Sequence, residues 1–367
     1  MNNLQRLHAE HDQSPWIDFI DRELIASGRL ARLVDDGIRG LTSNPTIFGK
    51  AVASGQYDEL IRREIEAGDG SHEIYEEIAV SDVRDAAEVL RRVYDGDDAA
   101  DGYVSIEVEP ELAENSQATL ERARHLWSRV GRPNAFVKIP ATPAGLPAIE
   151  AAIAEGININ VTLMFSVDVY RDVARAYIAG LRQRHERGED LSRVASVASF
   201  FVSRVDTKVD KALDAIGTDE ALALRGKAAI ANAKMAYAAY GEIFGGDEFA
   251  DLRAAGARVQ RCLWASTSTK NPDYRDVLYV EELIGPETVN TMPTDTIEAF
   301  LDHGRLERTL DADPESAREV LRRIEAQGIS MERVTDELIE EGVAAFAKSF
   351  DELIATIESQ REALTPA

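Results

Sequence analysis

Ile157-Asn158-Ile159-Asn160-Val161-Thr162-Leu163 alternates apolar and polar residues without a break, and a helix-like segment, Val167–Arg184, follows within a few residues. A period of two puts successive side chains on opposite faces of a strand. Such alternation ordinarily marks an antiparallel sheet with one wet face. The trailing helix argues otherwise, because alternating strands and helices imply parallel crossovers whose outer face the helices cover. The polar parity then points into the interior of a closed barrel.

The neighbouring segments repeat the pattern. Ser105 and Glu107 share one parity of Val104–Val108, which precedes the helical segment Gln117–Val130. Ala135–Ile139 precedes Ala144–Ala154, and the same split recurs in Trp16-Ile17-Asp18-Phe19 and, more loosely, in Ser196–Phe201. In order, the expected strands are Trp16–Phe19, Gly40–Ser43, Tyr103–Val108, Ala135–Ile139, Ile157–Leu163, Ala195–Phe201, Val259–Ala265 and Thr288–Thr291. Eight strands in 367 residues, with no Pro/Gly/Ser-rich linker, predict a single α/β domain over 1–367, a (β/α)8 TIM barrel with additional helices. Two helical stretches read as additions to a minimal barrel. Ile74–Val93 lies in an insertion near 66–98, and Pro314–Arg361, ending in the amphipathic run Leu338–Ile357, lies in an extension near 306–367.

Charge limits the partners. With 41 basic and 66 acidic residues the formal balance is −25, which argues against nucleic acid and against anionic membrane surfaces. No apolar run approaches the roughly 20 residues that span a bilayer, and Met1 to Ser14 lacks a signal-like apolar core. One cysteine, Cys262, excludes an internal disulfide and fits a reducing compartment, so a cytoplasmic location is expected. The six histidines are scattered and none falls in an expected strand; no phosphate-binding glycine motif follows a strand. Neither metal nor cofactor is indicated.

Lys138 sits in the middle of the apolar run Ala135-Phe136-Val137-Lys138-Ile139-Pro140. Taken alone, a strand-end lysine usually carries its ammonium out to water. Desolvation instead favours a neutral amine, which is a nucleophile toward carbonyls. The inward groups of the other strands, Asp18, Asn44, Glu107, Asn160, Thr162 and Ser199, fall at or near strand C-terminal ends, the catalytic face of such barrels. Two carboxylates, a lysine, two amides and two hydroxyls without histidine suit amine catalysis with proton shuttling.

These residues resemble the transaldolase family, in particular its larger bacterial subfamily, along almost the whole chain. Gly40-Leu41-Thr42-Ser43-Asn44-Pro45-Thr46 is similar to the second-strand T-[ST]-N-P signature, and Gly156–Ser166 to the fifth-strand G-I-N-x-N-x-T-L-x-F-S motif. Phe136–Pro140 occupies the place of the Schiff-base strand, and Ser266–Pro272 resembles the subfamily's loop. The resemblance implies an enzyme of the pentose phosphate pathway that moves a dihydroxyacetone unit from sedoheptulose 7-phosphate or fructose 6-phosphate to an aldose phosphate, without a diffusible cofactor. It implies Lys138 as the Schiff-base lysine, Glu107 and Thr162 handling proton transfer through a water, and Asp18 taking the C4 hydroxyl proton. Asn44, Asn160 and Ser199 would hydrogen-bond the three-carbon unit, while Arg204, Ser266 and Lys270 would meet phosphate. Read alone, Lys270 is a solvated loop lysine.

Two rivals stand beside this reading. An aldolase of the fructose-6-phosphate type shares the lysine, but that group resembles this chain less at Phe201, where it carries a tyrosine. The set Asp18, Glu107 and Lys138 disfavours a non-catalytic sugar-phosphate-binding barrel, which would gain nothing from burying an amine. A homodimer through the C-terminal helix is a further expectation.

Overall fold

The computed structural model describes residues 1–365. Its strands are β1 (Gln13–Asp18), β2 (Leu41–Thr42), β3 (Val104–Glu107), β4 (Ala135–Pro140), β5 (Ile159–Met164), β6 (Ser196–Phe201), β7 (Arg261–Ala265) and β8 (Thr288–Met292). They pair in chain order, all parallel, and β8 closes on β1 with Gln13 beside Thr288. All eight expected strands are present and the (β/α)8 barrel stands, with strand ends displaced by a few residues.

The barrel interior is layered. Lys138 and Phe136 share the inward parity of β4, while Ala135, Val137 and Ile139 are buried outward. Below the polar mouth, Trp16, Tyr103, Phe136, Val197, Leu263 and Val289 form an apolar plug. The Phe136 ring stacks on Tyr103 with centroids 4.3 Å apart and on Trp16 at 6.2 Å. Gly40 makes room for this plug, since a Cβ there would lie 2.2 Å from Cε2 of Trp16. The polar parity therefore fills only the upper part of the barrel. Alternation specifies which face a residue occupies; the height along the axis decides whether that face meets ligand or packing.

Local signals set the helices. Asn115 caps Ser116–Val130 by accepting from the Ala118 amide at 3.0 Å, and Gly131, at φ 59°, ends it. The Ser71–Gly96 helix was expected as an insertion, but it packs on β3, β4 and the Ser116–Val130 helix as the barrel's own crossover between β2 and β3. The added elements there are the shorter Pro45–Ala53 and Asp58–Ala67 helices. Ile74, Ile78, Val83, Ala86 and Leu90 supply the buried face of that crossover.

The expected C-terminal extension is two helices rather than one, broken at Gly328 with φ 86°. Pro314–Ala326 lies against Ala228–Gly245. Met331–Leu364 crosses the C-terminal mouth of the barrel and packs on Pro45–Ala53, Asp58–Ala67, Ser71–Gly96 and Ser203–Ile216. Its apolar side chains Leu338, Phe350, Leu353 and Ile357 are buried within the chain, so a second copy would have to meet the helix's outer, charged side. Phe350 is the main anchor, edge-on to Tyr75 at 5.1 Å and near His72 at 5.9 Å. Phe350→Ala should cost about 3–5 kcal/mol of unfolding free energy by denaturant titration; a loss below about 1 kcal/mol would mean the helix does not depend on this dock.

Candidate active site

The C-terminal ends of the strands surround a cavity of about 320 Å³, roofed by Gly342, Ala345, Phe346 and Ser349 of the C-terminal helix. Ten of the eleven residues expected at the site line it: Asp18, Asn44, Glu107, Lys138, Thr162, Ser199, Phe201, Arg204, Ser266 and Lys270. Asn160 does not. It is fully buried beneath the floor, where its amide donates to Ser105 Oγ at 3.1 Å and accepts from Ser199 Oγ at 2.6 Å. Its place one step lower on β5 is fixed by its pairing with Lys138 on β4.

The floor is built from adjacent strands. Glu107 and Lys138 are register partners on β3 and β4, and the Lys138 amine donates to Glu107 Oε1 and, at 3.0 Å, to the Ser43 carbonyl. The amine is thus buried but not in apolar surroundings, as a lone lysine on an apolar strand had implied. Burial raises the Glu107 carboxyl above its ordinary range, Lys138 draws it back down, and Asp18 adds to the rise. A carboxylate so placed can take the proton an ammonium must lose before it attacks a carbonyl. Asp18 is also raised, chiefly by burial, against the pull of Lys138, hydrogen bonds from Thr42 and Asn44, and Lys270. Asn44 sits where sequence chemistry puts it, capping Pro45–Ala53 through the Ile47 amide at 3.2 Å with Pro45 in the first turn.

A buried amine–carboxylate pair, a second raised carboxylate and nearby hydroxyls fit imine chemistry on a hydroxylated carbonyl compound. The model of the family described as transaldolase/fructose-6-phosphate aldolase matches residues 15–357. The chain belongs to that family. It is 49% identical to a transaldolase of Mycolicibacterium smegmatis and 50% identical to one of Thermobifida fusca, covering 95% of this chain and 95% and 96% of theirs. A protein named transaldolase 2 from Nostoc is 45% identical over 97% of each chain. The resemblance read from the three motifs holds over nearly the full length.

Several residues of this transaldolase-family cavity escaped sequence reasoning. Thr42 and Thr291 lie inside the wall, and Leu163 reaches it through a bulge: β5 advances three residues, Val161 to Met164, against two on β6, Ala198 to Phe200. Leu163 sits at φ 57°, a left-handed conformation uncommon for leucine, and Ser266, also lining the cavity, has the same φ. Strict alternation places Leu163 outward, and no local signal announces the bulge. The roof residues come from more than 130 positions beyond their neighbours on β6; the amphipathic run over Leu338–Ile357 was the available hint, but not its destination.

Arg204 enters the cavity from the first turn of Ser203–Ile216, its guanidinium 5.2 Å from the Phe201 ring centre. Burial lowers its affinity for its proton, and among the described residues no neighbouring charge opposes this. A cation at a helix N-terminus also lies on the unfavourable end of the helix dipole. Both penalties are relieved by an anion, which a guanidinium and helix amides can share. Ser266 Oγ lies alongside, 2.8 Å from Ser203 Oγ, whereas Lys270 is exposed and bonded to Ser268 Oγ at 2.8 Å. Inorganic phosphate should therefore raise the thermal midpoint of the protein, by preferential binding to the folded state. Arg204→Met should lose that response without losing stability in phosphate-free buffer. An equal phosphate effect in both proteins would remove Arg204 from the anion site.

Proposed function

We propose that this protein is a transaldolase that carries a dihydroxyacetone unit from sedoheptulose 7-phosphate or fructose 6-phosphate to glyceraldehyde 3-phosphate or erythrose 4-phosphate in pentose phosphate metabolism, as a Schiff base on Lys138. The observation that carries the reading is the Lys138–Glu107 pair buried on the cavity floor with Asp18 alongside. Relatives sharing about half of its residues bear the name transaldolase.

In this reading Glu107 accepts the ammonium proton, and the Lys138 amine adds to the C2 carbonyl of the ketose. Glu107 and Thr162, through a water, then return protons so that hydroxide leaves as water and an iminium forms. The iminium is an electron sink. Asp18 takes the C4 hydroxyl proton as the C3–C4 bond breaks, the aldose phosphate departs, and the C3 electron pair is held as an enamine. The enamine carbon adds to the acceptor aldehyde, Asp18 returns its proton to the new alkoxide, and water hydrolyses the iminium. Asn44 and Ser199 hold hydroxyls of the three-carbon unit; Asn160 acts through Ser199, whose hydroxyl it orients. Arg204 with Ser266 takes the phosphate. A net charge of −25 and a single buried cysteine suit a reducing, aqueous cytoplasm.

The transferase is favoured over the aldolase by Phe201, which lines the cavity, packs on Phe165 at 5.4 Å and offers no hydroxyl to position a hydrolytic water. Treatment with dihydroxyacetone and borohydride should fix the three-carbon mass on Lys138 alone, and Lys138→Ala should abolish both labelling and turnover; label on another lysine would sink the mechanism. Phe201→Tyr should raise acceptor-free cleavage of fructose 6-phosphate relative to transfer to erythrose 4-phosphate. A difference of about 1.4 kcal/mol between the two barriers moves that partition tenfold. An unchanged ratio would show that Phe201 does not select between them.

A further inference from the structure

Three strands meet at Asp18. In the closed barrel β1 lies between β2 and β8, Asp18 pairs in register with Thr42, and Trp16 pairs with Thr291. Thr42 Oγ1 donates to Asp18 Oδ1 at 2.8 Å and stands 2.8 Å from Thr291 Oγ1. Both threonines are 3% exposed, so water does not readily complete their hydrogen bonding. A hydroxyl has one proton. With Thr42's proton given to the carboxylate, its contact with Thr291 can be filled only by Thr291's proton, and the chain runs Thr291 to Thr42 to Asp18. Beside Thr291 on β8, Asn290 is held by Thr267, whose Oγ1 donates to Asn290 Oδ1 at 2.8 Å.

We infer that Thr42 and Thr291 are positioning residues for Asp18, a directed pair of hydroxyls that holds Oδ1 of the carboxylate that exchanges the proton of the substrate's C4 hydroxyl. The inference rests on the transaldolase reading above. It explains why two threonines line a wall whose neighbours meet substrate. Valine at either place would keep the β-branched shape that suits a strand but could neither donate to Asp18 nor extend the chain. The pair also biases the carboxylate toward its ionised form, the form that must be present when the C3–C4 bond breaks. The charges facing Asp18 are Lys138 from β4 and Lys270 from the loop after β7, which favour ionisation, and Glu107 from β3, which opposes it. Burial is the largest influence and works against ionisation. The hydroxyl pair adds a directional contribution that the lysines, each with another partner, do not supply.

The test uses the full-length protein and three variants, Thr42→Val, Thr42→Ser and Thr291→Val. Transfer from fructose 6-phosphate to erythrose 4-phosphate is followed across pH, and borohydride trapping of dihydroxyacetone is measured beside it. Removing the donor to a carboxylate raises its pKa, so in Thr42→Val the acid limb of kcat should move upward by about one pH unit. On the acid side of that limb turnover should fall about tenfold. Trapping, which does not need Asp18, should be unchanged. Thr42→Ser should restore the limb and the rate, and Thr291→Val should move the limb in the same direction by less. A limb that stays in place in Thr42→Val, with kcat unchanged or lowered evenly at every pH, would overturn the inference, as would Thr42→Ser being as impaired as Thr42→Val. Absence of transfer by the unsubstituted protein would overturn the transaldolase reading itself, and this inference with it.

Discussion

The constraint on which the rest depends is that an amine and a carboxylate, Lys138 and Glu107, are held together inside a barrel largely closed to water. Either charge alone would be costly in that setting, and breaking one partner of such a pair leaves the other uncompensated. The two sit on adjacent parallel strands in direct register, so the pairing is set by the backbone rather than by flexible side chains. The aromatic plug beneath them, Trp16, Tyr103 and Phe136, seals the barrel from the opposite end. That plug in turn depends on Gly40, where any side chain would occupy the space of the Trp16 indole.

Above the pair, polarity is graded. Asp18, Thr42 and Thr291 make one side of the mouth, and Ser199 stands on the other, supported from beneath the floor by Asn160 and Ser105. The two carboxylates are both pushed toward their protonated forms by burial, yet they see different donors: an ammonium at Glu107, hydroxyl and amide groups at Asp18. Different surroundings for two like groups are what separate proton-transfer roles at different carbons. Arg204, by contrast, has no charged partner among the described residues. In a chain of net charge −25 this is a local exception; at physiological salt charges are screened over about 8 Å, so an anion in the cavity responds to Arg204 more than to the distant surface.

The C-terminal helix completes the cavity at its own expense in surface. Its apolar side chains are used against Pro45–Ala53 and Ser71–Gly96, and Gly342 lets its backbone pass close to Leu163, where an added Cβ would come within 3.2 Å of Cδ2. Roof and wall therefore meet where β5 bulges and its backbone is strained. Strain of this kind persists only when surrounding packing determines it, and here the roof helix provides part of that packing.

Much of this was legible in the order of residues. Alternation in β3 and β5, helices trailing each strand, and three motifs in sequence pointed to the barrel, the strand count, the family and ten of the side chains that line the cavity, because a period of two and short crossovers are local properties of the chain. Tertiary structure alone decided the rest. Alternation assigns a face but not a height, so Asn160 proved to be a support beneath the floor and Trp16 and Phe136 a plug. A polar helix, Ser71–Gly96, became a crossover because its buried stripe finds β3. The bulge at Leu163, the hydroxyl chain from Thr291 to Asp18, and the roof from Gly342 to Ser349 join residues far apart in the chain, and nothing local records which distant surface a strand end or an amphipathic helix will meet when the barrel closes.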